Sequence, residues 1–269
     1  MDYTQGRGRI LANVEVAPDH YRMEIEAPFV PERALPGQFV MVKVTDGLAP
    51  VLRRPFGIYT INEARGSFEM IYRVVGEGTR LLSEMADGVD IDVLGPLGNG
   101  FNLDLAGDQP LIVAGGVGVP PLFSLAQGLI GKGKKPVVII GGRTADDLLS
   151  LDAFRAIGIE PLLATEDGSS GYKGYVTAIM EERLDDGKIP SAVYSCGPKL
   201  MLRRVGEIAM SRGIPCELSL EAIMACGFGV CLGCVVKTCS SDGSSEHDFS
   251  RVCCEGPVFD AKEIIWDEA

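Results

Sequence analysis

A chain of 269 residues, 46% apolar and 23% charged, can bury more than one core, which excludes intrinsic disorder and predicts at least two modules. Its formal charge of -12 opposes phosphate backbones and anionic headgroups, so neither nucleic acid nor a membrane is an expected partner. The opening MDYTQGRGRI lacks the apolar core of a signal peptide, and the eight cysteines are read as reduced thiols of a cytoplasmic protein rather than a disulfide framework.

From residue 8 to about 101, short alternating runs (RILANVEV, YRMEIEA, QFVMVKV, FEMIYRVV) are separated by turn residues, which predicts an antiparallel barrel. Arg53-Arg54-Pro55-Phe56-Gly57-Ile58 opens one of these strands. An arginine there is placed to pair with a pyrophosphate while the following backbone meets a flavin ring; a plain surface Arg-Arg pair is the competing reading. After the strand IYRVV, Gly76-Glu77-Gly78-Thr79 starts a helical segment reaching Met85. Its first turn suits a cofactor phosphate, or else is an ordinary N-cap in which Thr79 satisfies helix donors.

Beyond the polar link NLDLAGDQ, compact apolar strands (PLIVAGG, PVVIIGG, EPLLATEDG, AVYSCGP) alternate with helix-compatible segments, the pattern of a parallel sheet covered by helices. The uncharged stretch 109–130 has the length of a membrane span, but Gly115, Gly116, Gly118, Pro120 and Pro121 would break such a helix and suggest strand, turn and helix instead. Gly116-Val117-Gly118-Val119-Pro120-Pro121 is therefore a candidate nucleotide turn, with Pro121 at the third glycine position; a plain strand-to-helix turn is the alternative. Cys196-Gly197-Pro198 ends a strand on the carboxyl edge of the sheet, where Cys196 is a candidate neighbour of nicotinamide or flavin, or else a packed thiol. The two histidines, His20 and His247, have no ligand or triad spacing and are expected at the surface.

No cysteine precedes Cys196, and six fall between Cys226 and Cys254. Cys226, Cys231 and Cys234 have the spacing C-x4-C-x2-C, followed by a later cysteine, which is the plant-type pattern for a [2Fe–2S] cluster. Interspersed glycines let the backbone wrap an inorganic core and present N–H groups to its sulfurs. A four-cysteine zinc site would use the same thiolates for stability alone, although zinc sites favour two C-x2-C knuckles and only one is present. Spacing leaves the fourth ligand open among Cys253, Cys254 and Cys239.

Taken together, RRPFGI, GEGT, GPLGNGF, GGVGVPPL, ATEDGSSGYKGYV, CGP and MACGFGVCLGCVVKT…RVCCEGPVF resemble the electron-transfer subunits of type B dihydroorotate dehydrogenase, within the ferredoxin reductase-like group. The resemblance implies an FAD-binding barrel at 1–102, an NAD-binding α/β domain at 103–217 and a cluster-binding segment at 218–269. It further implies that Arg54, Pro55, Phe56, Gly57, Ile71, Tyr72, Arg73, Gly78 and Thr79 hold FAD; Gly116, Gly118, Pro121, Cys196, Gly197 and Pro198, in the turns picked out above, are the candidates to meet NAD(H). Cys226, Cys231, Cys234 and Cys253 would ligate the cluster. The partner so implied is an FMN-containing catalytic subunit that oxidises dihydroorotate in pyrimidine biosynthesis, two copies of each chain forming a heterotetramer.

Gly57 departs from that pattern, which commonly has Ser or Thr there. Small subunits of sulfide dehydrogenase or NADH-dependent ferredoxin:NADP oxidoreductase share the layout but tend to carry Asp where this chain has Cys226. Arg143 on one side, and Glu166 with Asp167 on the other, leave NAD against NADP undecided by sequence; the resemblance implies NAD.

Overall fold

The protein is described from a computed structural model covering residues 3–47, 49–240 and 247–266. Its first sheet follows from alternation. In β2 (His20–Glu26) Met23 and Ile25 turn inward while Arg22 and Glu26 face water, and β6 (Ser67–Arg73) lies beside it with Phe68, Met70 and Tyr72 in the same core. With β1 (Thr4–Ala17), β3 (Phe39–Lys43), β4 (Arg54–Gly57), β5 (Thr60–Asn62) and β7 (Asp90–Leu97) the spatial order is β4-β3-β7-β1-β2-β6-β5, every pairing antiparallel. The sheet curls until Phe56 of β4 meets Tyr72 of β6, ring centroids 5.5 Å apart.

A short helix, α1 (Glu77–Ser83), closes this half. Asn13 of β1 donates to the carbonyls of Leu82 and Met85, each at 3.0 Å, and so satisfies acceptors that the helix end leaves free. His20 is buried, 3% exposed, with Nδ1 2.8 Å from the carbonyl of Pro18, contrary to the surface position expected. It opens β2 at a tight turn, and folding the hairpin draws it inward. His247 is exposed as expected.

The second half alternates β8 (Leu111–Gly115), α2 (Val119–Gly131), β9 (Val137–Gly142), α3 (Leu151–Ala156), β10 (Leu162–Thr165), β11 (Tyr172–Lys173), α4 (Val176–Asp185), β12 (Val193–Cys196), α5 (Lys199–Ser211) and β13 (Cys216–Ser219). The uncharged stretch 109–130 thus becomes a buried strand, a tight turn and a helix, and no helix among the described residues is long and apolar enough to cross a membrane. Strand order is β11-β10-β9-β8-β12-β13-β16, parallel except for β16 (Val258–Asp260), which comes from the C-terminal segment. That segment also forms a hairpin of β14 (Val235–Cys239) and β15 (His247–Arg251). It has no separate core: Cys234, Val252 and Cys253 pack in one cluster with Met41 of the first sheet and Leu218 of the second.

The link between the halves is pinned at Asn102, whose carbonyl accepts Tyr194 Oη at 2.7 Å and whose N–H donates to Glu217 Oε2 at 2.9 Å. Burial pushes the Glu217 carboxyl up to about 7, with the Asn102 N–H pulling the other way. The folded chain then holds this proton more tightly than the unfolded chain, so the stability it contributes is present at low pH and is lost as pH rises from the ordinary carboxyl value of 4.5 toward about 7. Urea midpoints should fall between about pH 5 and about pH 7, and Glu217→Gln should flatten that slope. An unchanged slope in the variant would remove Glu217 as its source.

Candidate functional site

Where the curled sheet meets the parallel sheet, a cavity of about 440 Å³ is lined on one wall by Arg54, Pro55, Phe56 and Gly57 of β4, by Ile71 to Arg73 of β6, and by Thr79. Of the residues assigned to FAD, Gly78 alone lies behind the wall: a Cβ there would stand 2.8 Å from Arg54 Nε, so the glycine gives that guanidinium its seat. The adjacent arginines separate in role. Arg53 is paired with Asp92 at 2.9 Å, whereas neither Arg54 nor Arg73 has a carboxylate partner among the described residues. Two uncompensated cations beside an apolar wall fit an anionic aromatic cofactor. Thr79 Oγ1 accepts the N–H groups of Val75 and Gly76 at 2.9 and 3.2 Å, holding the turn at the cavity edge.

A Cβ at Gly57 would lie 3.4 Å from Pro121, ordinary contact distance, so the position has room for a side chain. Gly57→Ser should fold with unchanged stability and place a hydroxyl at this cavity wall, expected to shift the absorption spectrum of the bound flavin. Loss of bound flavin in that variant would contradict the space seen here.

The second cavity, about 800 Å³, lies at the carboxyl ends of β8, β9 and β12, where crossovers leave the sheet in opposite directions, the place at which open α/β sheets bind ligands. Gly116, Gly197 and Pro198 line it. Pro121 and Cys196 line the smaller cavity instead, and Gly118 lines neither, because it is the point where α2 approaches the backbone of Cys196. Cys196 is 3% exposed; burial, then the nearby Glu221 carboxylate, pushes its thiol up to about 12, so it stays neutral and makes no general base near pH 7. At the outer rim Arg143 is held by Asp147 through its backbone N–H at 3.1 Å and its Nε at 3.3 Å, and Glu166 stands beside it. This rim suits ribose hydroxyls and opposes a further phosphate. The two cavities adjoin, sharing Arg73, Val75, Val117 and Glu221 in their linings.

The C-terminal segment supplies the remaining wall. Leu220, Glu221, Ala222 and Met224 line the smaller cavity, and Cys226 follows two residues later. Sequence reasoning missed these wall residues; their signal is position alone, between a strand's carboxyl end and a cysteine motif. Gly227 and Gly229 have φ of +82° and +90°, and Leu232 has +54°, so the chain coils tightly around the thiols. Burial opposes ionisation of Cys226, but N–H donors from Cys231, Phe228 and Val230 outweigh it and bring the thiol down to about 6.

The Gly233 N–H reaches Cys231 Sγ at 3.4 Å. Cys253 is fully buried, packed in one cluster with Cys234, and its Sγ is 3.6 Å from Cys254 Sγ. The thiols therefore lie in two groups, Cys226 with Cys231 and Cys234 with Cys253 and Cys254. Among the described residues no three His, Cys, Asp or Glu side chains are drawn into a ready metal shell. Cys239 is turned away, its Sγ donating to the Lys262 carbonyl at 3.3 Å. A glycine-rich coil of N–H donors around thiols, one of them acidic, is the donor chemistry an iron–sulfur cluster requires.

A curled antiparallel sheet and a parallel sheet with adjoining cofactor-sized cavities, joined to a thiol lobe, define the ferredoxin reductase-like class of oxidoreductases. Known proteins narrow this. The profile of the iron–sulfur cluster binding domain of dihydroorotate dehydrogenase B matches residues 221–265, and that of the oxidoreductase NAD-binding domain matches residues 112–207. The dihydroorotate dehydrogenase B (NAD(+)) electron transfer subunit of Desulforamulus reducens is 38% identical over 259 residues, 96% of this chain and 97% of that protein. Its counterpart from a Geobacillus species is 41% identical over 258 residues, 95% and 96% of the two chains. Among solved structures, the NADH-dependent reduced ferredoxin-NADP oxidoreductase superposes with a TM-score of 0.84 at 32% identity, covering 97% of this chain and 90% of that one. The chain belongs to the family of dihydroorotate dehydrogenase B electron transfer subunits.

Proposed function

We propose that this chain carries electrons between NAD(H) and a dihydroorotate-oxidising catalytic subunit, using FAD and a [2Fe–2S] cluster, as a step of pyrimidine biosynthesis. One observation carries the reading: the stretch from Leu220 to Cys226 lines the flavin-type cavity at one end and begins the cysteine coil at the other, so a span of seven residues joins the two redox positions. Held in these places, FAD would exchange hydride with the nicotinamide and single electrons with the cluster, which carries electrons one at a time.

The chain supplies the rest. Residues 1–102 form the FAD module, 103–217 the nucleotide module and 218–269 the cluster segment. Arg54 and Arg73 hold the cofactor's anionic part, while Pro55, Phe56, Gly57, Ile71, Tyr72 and Thr79 shape its wall and Gly78 seats Arg54. Gly116, Gly197 and Pro198 bring the nucleotide to the sheet edge. Cys226, Cys231, Cys234 and Cys253 ligate the cluster, Cys253 being chosen for its burial against Cys234. Exposed apolar side chains beside the coil, Ile223 at 91%, Val230 at 74% and Leu232 at 61%, offer a docking face next to the cluster. The partner is an FMN-containing catalytic subunit, two of each chain assembling in the cytoplasm.

Metal and flavin analysis of the purified chain, followed by dihydroorotate-dependent NAD reduction with the catalytic subunit, tests this. Iron, FAD and NADH formation are expected. Zinc without iron or FAD would make it a metal-stabilised interaction module. Activity with ferredoxin but not dihydroorotate would place it with the bifurcating oxidoreductase that it resembles in structure.

A further inference from the structure

The seam between the two cavities carries a charge that the assignments above leave unused. β13 ends at Ser219, which is in register with Val258, and Leu220 N–H donates to the Pro257 carbonyl at 2.8 Å. The backbone is thus anchored up to Leu220 as it enters Glu221, whose side chain lines both cavities. The Glu221 residue stays exposed to the cleft and its carboxylate has no ion pair or hydrogen bond among the described residues; the protein around it, by partial desolvation, raises its carboxyl above the ordinary range. Arg73, the other charged residue common to both cavities, forms no ion pair with it. Of the remaining charges in the larger cavity, Arg143 is held by Asp147 and Arg204 by Glu181, and Glu166 belongs to the outer rim.

We infer that Glu221 sets the preference of the site between the redox forms of nicotinamide, favouring the cationic ring of NAD⁺ over the neutral ring of NADH. The inference rests on the reading that the larger cavity takes NAD(H). A nicotinamide ring must reach the seam to face the flavin wall, and the unpartnered carboxylate waits there. The two ring forms have nearly the same size, so packing treats them alike. Only the oxidised form carries a positive charge for the carboxylate to attract, and in a partly wet cleft one such contact is worth about five- to tenfold in affinity. The device suits flow toward nicotinamide, in which NAD⁺ must bind and NADH must leave.

The test uses the full-length, FAD-loaded chain and follows flavin absorbance during titration with NAD⁺ and with 1,4,5,6-tetrahydro-NAD, a neutral analogue that cannot donate hydride. Glu221→Gln should weaken NAD⁺ about five- to tenfold and leave the neutral analogue within about twofold, while Glu221→Asp, which keeps the charge, retains most of the preference. Equal weakening of both ligands, or of neither, would overturn the inference while leaving the nucleotide site intact. If the wild-type chain bound neither ligand, the nucleotide reading itself would fall, and the inference with it.

Discussion

Replacing Cys234 by serine is expected to abolish the iron–sulfur absorbance of the purified chain and to lower electron delivery to the catalytic subunit by at least about 100-fold. The reason is chemical and positional. A serine hydroxyl stays protonated where a thiol ionises, and Cys234 is 3% exposed inside the core cluster that joins the thiol lobe to both sheets. Reduction of a dye by NADH, which uses the two cavities alone, should fall far less. Cys239→Ser is the control, because its sulfur faces the Lys262 carbonyl, and its iron content should match the wild type. Equal iron loss in both variants would mean that the lobe responds to any cysteine change, and the ligand assignment would fail. The same iron measurement on Cys253→Ser and Cys254→Ser separates the adjacent thiols, with loss expected at Cys253.

Gly118→Val should destabilise the chain by more than about 3 kcal/mol and loosen nucleotide binding along with it. At φ of -77° the backbone of Gly118 is open to any residue, so conformational freedom does not explain the glycine. Space does. A Cβ there would stand 2.4 Å from the carbonyl carbon and oxygen of Cys196 and 2.6 Å from the Gly197 nitrogen, all backbone atoms that cannot rotate away. α2 would have to retreat from β12, moving Pro121 out of the smaller cavity and the turn at Gly116 out of the larger one. Urea denaturation gives the stability change, and NAD⁺ titration gives the binding change. A valine variant with wild-type values in both would show that the close approach is not needed. Gly57→Ser, with 3.4 Å of room, provides the contrast at a glycine of the opposite wall.

Much of this architecture was legible along the chain because it depends on local chemistry. Period-two alternation marks strands with one buried face, and compact apolar runs mark strands covered on both sides, so the change near residue 102 separated the two sheets. The cysteine spacing was equally local: wrapping a small inorganic core takes a few residues of coil, and glycines at 227 and 229 show where that coil turns. The arginine motif pointed to a phosphate-bearing cofactor but did not say which arginine serves it. Asp92, 39 residues beyond Arg53, pairs with one guanidinium and leaves the other on the cavity wall without a carboxylate among the described residues.

Composition and spacing by themselves thus determined two sheet modules, a thiol lobe and strand ends that line the cavities, since each follows from side chains within one turn or one strand pair. The tertiary structure alone decided which wall each residue faces. Pro121 and Cys196 belong to a nucleotide-type turn and a sheet edge in sequence, yet they face the flavin-type cavity because the curled sheet packs across that edge. His20 became buried as the β1–β2 hairpin folded, and Glu221 came to stand between two cavities because packing two sheets against each other brings together residues far apart in the chain; no local pattern records which side chains will meet.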